Sequence, residues 1–304
     1  MDHFRAGRLT RPDNRAKINY IMKADRKQSS TGAKLEAPAG QVLVRAGAPV
    51  ILTWLLVPLS FVLPLVDSTR PPYVNLTQTF SEAAYWFAQS GGKFGAPIVG
   101  ALMIIVLVTR AGMNRKRRWK EAALIALIAV IGAAGGSVLN ENLVKAELKV
   151  PRPNIVWLAG KDGTGPLGMT PEQFYASGNK DARRKPLMEV LRKRPAPVSL
   201  SSPVEAHWIA ETGYSFPSGH SYSAMFLSTF FLAIAATYVT TKRIWVFYAL
   251  LPWALAVCYS RPILRVHTPT DITVGALQGV AIGFLAWAVA RATIRRLAFE
   301  KTRD

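Results

Sequence analysis

The feature that most constrains this chain is a set of six apolar blocks, 49–66, 95–109, 122–138, 223–240, 244–259 and 272–290, separated by polar and charged stretches. A helix needs about 20 apolar residues to cross the hydrocarbon layer of a bilayer, and it satisfies its own backbone polar groups there. The pattern predicts an all-α, polytopic membrane protein with six transmembrane helices. The second and fifth blocks are short, so their ends are the least defined. Gly132 and Gly136 lie in the third block, and Gly275, Gly279 and Gly283 in the sixth. Small residues at this spacing let helix backbones approach closely in lipid. The first block starts too far into the chain, and is too long, for a signal peptide. The single cysteine, Cys258, excludes an internal disulfide and a cysteine-based metal cluster, and reads as packing.

The chain carries 38 Lys and Arg against 18 Asp and Glu, a formal net charge of +20. Such a balance can signal nucleic acid, but its distribution points to topology instead. Ten basic residues fall in 1–46, six in 110–120, two at Lys242-Arg243 and five after the sixth block, 23 in all. If six helices alternate, these segments share one side, and the excess of Lys and Arg makes that side cytoplasmic. The opposite short loops, 67–94 and 260–270, carry two each, and the remaining eleven lie in one long segment, 140–222. The expected organisation is a basic, flexible cytoplasmic tail, 1–46, followed by a six-helix membrane domain, 47–304. Within that domain 154–216 form an external, periplasmic helical insert between helices three and four. Both termini are expected in the cytoplasm, and no nucleic-acid partner is expected.

On this topology three charged clusters emerge together on the external face. Lys145 and Arg152-Pro153 follow the third block, Pro217-Ser218-Gly219-His220 precedes the fourth, and Ser260-Arg261, His267 and Asp271 join the fifth to the sixth. Phosphate is a dianion with several acceptor oxygens. Arginine meets it with two parallel donors, and lysine meets it as a point charge. Lys145, Arg152 and Arg261 therefore suit phosphate and the extra charge of a phosphoryl-transfer transition state. Val150-Pro151-Arg152-Pro153 should end helix three, because each proline restricts the residue before it. Ser218-Gly219-His220 should open helix four, where free N–H groups make an anion site, Ser218 can donate and Gly219 permits close approach. Thr268 fits an N-cap, Pro269 the first helical position and Asp271 the third. Asp271 could also accept the ring proton of His267, fixing its tautomer and leaving the other nitrogen free to attack. Of the four histidines, His3, His207, His220 and His267, only His220 and His267 lie in these clusters. One can attack phosphorus while the other protonates the leaving oxygen. No carboxylate or histidine group has metal-ligand spacing, so this chemistry is expected to need no metal and no other cofactor.

Taken together, Lys145 with Arg152-Pro153, Pro217-Ser218-Gly219-His220, and Ser260-Arg261 with His267 and Asp271 resemble the tripartite signature of the type 2 phosphatidic acid phosphatase (PAP2) family. Every position of the signature is filled, in order and at family spacing. The resemblance runs roughly over 122–290, and the helix layout extends it to Pro49. It implies a metal-independent lipid phosphatase working through a phosphohistidine. By position it makes His267 the nucleophile, Asp271 its orienting partner and His220 the general acid. Lys145, Arg152, Ser218, Gly219 and Arg261 become the phosphate-binding residues.

The segment between the first two motifs narrows the resemblance. Ile155-Val156-Trp157-Leu158, Gln173-Phe174-Tyr175, His207-Trp208, Glu211-Thr212-Gly213 and Phe216 are similar to the matching region of a bacterial inner-membrane branch of the family. That branch acts on several phospholipid phosphates and on undecaprenyl pyrophosphate. It implies membrane lipids as partners, with phosphatidylglycerophosphate, phosphatidic acid or undecaprenyl pyrophosphate as the type of substrate, and a periplasmic site. His207 reads as structural. The soluble vanadium haloperoxidases share the core site, but six spans argue against that branch. A lipid phosphotransferase on the same fold is the alternative. A non-catalytic lipid carrier fits poorly with intact Lys145, His220, His267 and Asp271.

Overall fold

The computed structural model describes residues 36–63, 76–110, 113–193, 196–239 and 241–300; most of the expected tail lies outside them. Among the described residues all regular structure is helical. In chain order the helices are α1 (Ala39–Phe61), α2 (Thr79–Gly91), α3 (Gly95–Val108), α4 (Arg115–Leu139), the short α5 (Pro153–Ala159), α6 (Pro171–Ala176), α7 (Lys180–Leu191) and α8 (Ser202–Ala210), then α9 (Gly219–Tyr238), α10 (Lys242–Ile263) and α11 (Pro269–Glu300). Five helical runs, those of α1, α4, α9, α10 and α11, are long and apolar enough to cross a membrane. The pair α2–α3 makes a sixth if its two halves, bent by 61°, count as one span.

Two departures from the expected tail and loops stand out. Helix α1 begins at Ala39, inside the stretch assigned to the tail, with Val42 and Ala46 buried. Arg45 does not stop it, because Nη1 donates to the carbonyl of Ala236 (3.3 Å). The expected loop 67–94 contains α2, which buries Ala84, Ala88 and Gly91 while Trp86 and Phe87 face outward. The shortness of the second block thus has a physical cause: the apolar run is the second half of a bent pair.

Helix α9 is the central element, buried along nearly its whole length. Helix α11 lies against it through the glycine stripe. A Cβ on Gly279 would stand 2.8 Å from the Phe226 nitrogen, and one on Gly283 would stand 2.7 Å from Thr229 Cβ. Gly132 and Gly136 of α4 face the rings of Phe226 and Tyr222, and Tyr222 Oη donates to the Gly132 carbonyl (2.6 Å). The small residues therefore do what their spacing predicts, bringing backbones together. Cys258 is buried. The outer surface carries exposed Leu52, Ile98, Leu102, Ile105, Leu127, Val130, Ile131 and Leu285. Water would not tolerate so continuous an apolar exterior, whereas lipid does.

One end of the bundle is built to hold chemistry. Helix α4 runs into a widened π turn, Asn140–Val144, and a last turn, Lys145–Leu148. Lys149 then adopts a left-handed conformation (φ 47°) and the chain leaves the helix ahead of Pro151, as the proline pair predicts. Helices α5–α8 share an apolar cluster of Ile155, Leu158, Phe174, Leu187 and Trp208 with Leu264 and Val266 from the α10–α11 connection. Trp208 Nε1 donates to the Leu264 carbonyl (2.8 Å), and the Asn154 N–H to that of Arg265 (2.9 Å). The insert thereby fixes the loop that carries His267.

Candidate active site

Arg152 is the hub of the site and only 3% exposed. It precedes Pro153, the first residue of α5, and its N–H donates to Tyr175 Oη (3.1 Å). Its guanidinium engages four groups: Nε donates to the Gly213 carbonyl (2.8 Å), Nη1 to the Val266 carbonyl (3.0 Å) and to His267 Nε2 (3.2 Å), and Nη2 pairs with Glu211 (2.6 Å). An arginine only donates, so His267 Nε2 must present its lone pair there. The ring proton is then on Nδ1, which faces Asp271 Oδ2 at 3.3 Å.

Asp271 orients and caps at once. Its Oδ2 also accepts the Thr268 N–H (2.8 Å), while its own N–H donates to Thr268 Oγ1 (3.2 Å). This reciprocal pair closes the start of α11 as Thr268-Pro269-Thr270-Asp271 predicts. Burial and the neighbouring Arg152 charge push the His267 ring down to about 3, although Asp271 pulls the other way. Above that pH the imidazole is neutral, the state a nucleophile needs.

The second motif joins the third directly. The Ser218 N–H donates to the Asp271 carbonyl (3.0 Å), and Ser218 Oγ caps α9 by accepting from the Ser221 N–H (3.3 Å). A Cβ on Gly219 would meet nothing within 4 Å, so the first turn of α9 opens onto free space. His220 interacts electrostatically with Arg261, Glu211 and His267. Its Nε2 also lies 3.0 Å from the place a Cβ would take on Gly92, at the α2–α3 bend.

Arg261 is fully buried. Nη1 donates to His207 Nε2 (3.0 Å) and Nη2 to Glu211 Oε1 (3.2 Å). Its Nε is buried without a hydrogen-bond partner among the described residues. His207 packs edge-on to Tyr85 (5.7 Å) while its Nε2 meets Arg261. Burial and then Arg261 push its ring down to about 3, so it accepts here as a neutral imidazole. Lys145, 7% exposed, pairs with Glu141 Oε2 (3.0 Å), and its charge also interacts with Arg152 and Glu211.

Glu211 and Gly92 also belong to the site from outside the three motifs. Glu211 bridges both arginines; burial works against its charge, but Arg152 and Arg261 hold its carboxyl well below the usual range. Its side chain is 20% exposed, so a competing anion can reach the place it holds. Gly92 leaves room for His220. The family-like Glu211-Thr212-Gly213 run marked the first of these, whereas the Gly91-Gly92 pair carried no sign of its role.

The model of the PAP2 superfamily matches residues 122–295. Phosphatidylglycerophosphatase B of Escherichia coli (strain K12) is 30% identical over 178 residues, which cover 57% of this chain and 65% of that protein, just under two thirds of its length. Phosphatidylglycerophosphatase B of Haemophilus influenzae is 26% identical over 218 residues, covering 69% of this chain and 80% of that protein. The resemblance first carried by Lys145, Arg152, His220, Arg261, His267 and Asp271 thus extends over more than half of the sequence, and the chain belongs to the PAP2 superfamily.

Proposed function

We propose that this chain is an integral membrane phosphatase that hydrolyses phosphate monoesters or pyrophosphates of lipids through a phosphohistidine on His267. The observation that carries this reading is the neutral His267, held through Nδ1 by Asp271 while Nε2 faces the guanidinium of Arg152. A phosphoryl group bound by Arg152 and Arg261 takes the place of the Glu211 carboxylate and meets the His267 lone pair. Nε2 forms a bond to phosphorus as the P–O bond to the lipid breaks. His220 gives its proton to the departing oxygen, and Asp271 stabilises the positive charge left on the phosphorylated ring. Water then attacks phosphorus, returning a proton to His220 and releasing His267. Lys145, Ser218 and Gly219 complete the phosphate cradle. The similarity to phosphatidylglycerophosphatase B supports phosphatidylglycerophosphate as the type of substrate, and the resemblance read from the sequence extends the proposal to phosphatidic acid and undecaprenyl pyrophosphate.

Arg152, Arg261 and Lys145 supply the charge neutralisation, so the purified protein should release phosphate from these lipids with EDTA present. Activity abolished by EDTA and restored by magnesium would sink the mechanism.

In this reading the α2–α3 pair counts as one bent span, giving six, and 154–216 form the periplasmic insert of a membrane domain that begins with α1 at Ala39 and lies in the bacterial inner membrane. The 23 basic residues on alternate segments support cytoplasmic termini and a periplasmic site. Reporters fused after Arg118 should read cytoplasmic, and one within 160–179 periplasmic. A cytoplasmic readout from the second would move the site across the membrane and overturn the topology.

A further inference from the structure

Helix α2 reaches the site from outside the three motifs, and its two faces differ in kind. The inner face is small: Ser81, Ala84, Ala88 and Gly91 are buried at helical spacing. Gly91 lies against Val257 of α10, and Trp253, one turn earlier on α10, donates from Nε1 to Ser90 Oγ (2.9 Å). The outer face is aromatic: Phe80, Trp86 (66% exposed) and Phe87 point away from the bundle, and Phe94 (75% exposed) follows at the bend. On α3 the exposed large side chains are aliphatic instead, Ile98, Leu102 and Ile105, and they belong to the lipid-facing exterior of the bundle. The exposed residue type therefore changes from aromatic to aliphatic across the bend. Aliphatic side chains suit the hydrocarbon, and aromatic ones the boundary where acyl chains meet headgroups.

The bend places α2 in that boundary. At about 1.5 Å per residue the 14 residues of α3 are about 21 Å long, short of the ~30 Å hydrocarbon layer. The 13 residues of α2 add about 20 Å, but the 61° bend turns them aside. With α3 along the bilayer normal, α2 rises only about 10 Å, enough to complete the span, and runs about 17 Å sideways. Lys93 stands at the bend with its ammonium over the Phe94 ring (5.6 Å), a cation and an aromatic side by side as at a membrane boundary.

We propose that α2 is an interfacial helix whose aromatic face is partnered by the acyl–headgroup boundary of the leaflet on the active-site side, and that this seating positions His220. Gly92, the first residue past α2, leaves His220 Nε2 its place, 3.0 Å from where a Cβ would stand. A helix that lifts or rolls on the membrane carries Gly92 with it. Lipid on Phe87 and Phe94, which flank the bend, thus holds the bend beside His220. His267 is fixed separately, by Arg152 and Asp271. The aromatic residues act through His220 and are positioning residues. This catalytic consequence rests on the phosphatase reading above; the placement of α2 does not.

The placement is tested with an environment-sensitive fluorophore on Ala83→Cys, an exposed position of α2, in the full-length protein in phosphatidylcholine nanodiscs; the native thiol, Cys258, is buried. Lipids with a nitroxide near the headgroup should quench it more than lipids with one near the chain end. Negligible quenching by both would put α2 in water, and stronger quenching by the deep label would put it in the hydrocarbon; either result overturns the proposal. The positioning is tested with two water-soluble esters, dihexanoyl phosphatidic acid and p-nitrophenyl phosphate, so that entry from the bilayer plays no part. Phe87→Ser/Phe94→Ser should lower kcat/KM for the first about tenfold and for the second less than about twofold, because a displaced acid matters to the alkoxide leaving group alone. Phe87→Trp/Phe94→Trp should keep the wild-type ratio. Equal losses on both esters, or no loss on either, would overturn the positioning of His220. If the wild-type protein hydrolyses neither ester, the phosphatase reading falls, and the quenching profile still decides where α2 lies.

Discussion

Arg152→Lys is expected to lower kcat/KM by about 10²–10³-fold although the charge is kept, as when one transition-state donor is removed from a preorganised site. The reason lies in the four directions in which this guanidinium points. Nε and Nη1 hold the Gly213 and Val266 carbonyls, Nη1 also meets His267 Nε2, and Nη2 pairs with Glu211. A lysine ammonium has three donors on a flexible stem and no planar fork, so it cannot hold all four groups. The variant leaves at least one buried carbonyl unpaired, at a cost of about 1–3 kcal/mol, and releases the orientation of His267. Thermal unfolding in detergent should therefore shift downward together with turnover. Arg261→Lys should lose comparable activity, since a lysine cannot hold Glu211 and buried His207 in the two directions that the guanidinium does. Near-wild-type turnover in either variant would show that only a diffuse positive field matters, and the proposed geometry would fail.

How much of this was legible in the sequence follows from the range of each interaction. The Thr268–Asp271 cap, the His267–Asp271 pair and the end of α4 at Lys149 depend on residues within one helical turn, so spacing alone exposes them. The glycine stripe of α11 was legible as a tendency, but its partners Phe226 and Thr229 were not. Glu211 was visible only as part of a family-like run. Its work comes from pairing with Arg261, 50 residues away, and with Arg152, and no periodicity encodes such a contact. The bend between α2 and α3 was hidden for another reason. Helix α2 presents both buried alanines and exposed aromatics, an amphipathic pattern that resembles a surface segment more than half of a span.

On the proposed mechanism His267 and His220 should fail in different ways, and the difference tests their roles. His267→Ala removes the lone pair that attacks phosphorus, so hydrolysis of every substrate should fall to background. His220→Ala removes only the proton given to the departing oxygen. A lipid alkoxide is a poor leaving group, so activity on phosphatidic acid should drop by about 10²–10⁴-fold, the usual contribution of a positioned general acid. A nitrophenolate departs without that proton, and p-nitrophenyl phosphate should keep a much larger fraction of its rate. A lipid pyrophosphate should fall between them, because its leaving phosphate needs less help than an alkoxide. Gly92→Ala supplies the same contrast without deleting the ring. Its Cβ would stand 3.0 Å from His220 Nε2, with the Ala88 and Gln89 carbonyls 3.4 Å behind it, so the imidazole has to move. A misplaced acid should reproduce the leaving-group pattern in weaker form, about tenfold on phosphatidic acid and close to none on the nitrophenyl ester. If His267→Ala spares the nitrophenyl ester while His220→Ala abolishes it, the roles are reversed: the lone pair facing Arg152 is then not the one that attacks, and Asp271 orients an acid instead of a nucleophile.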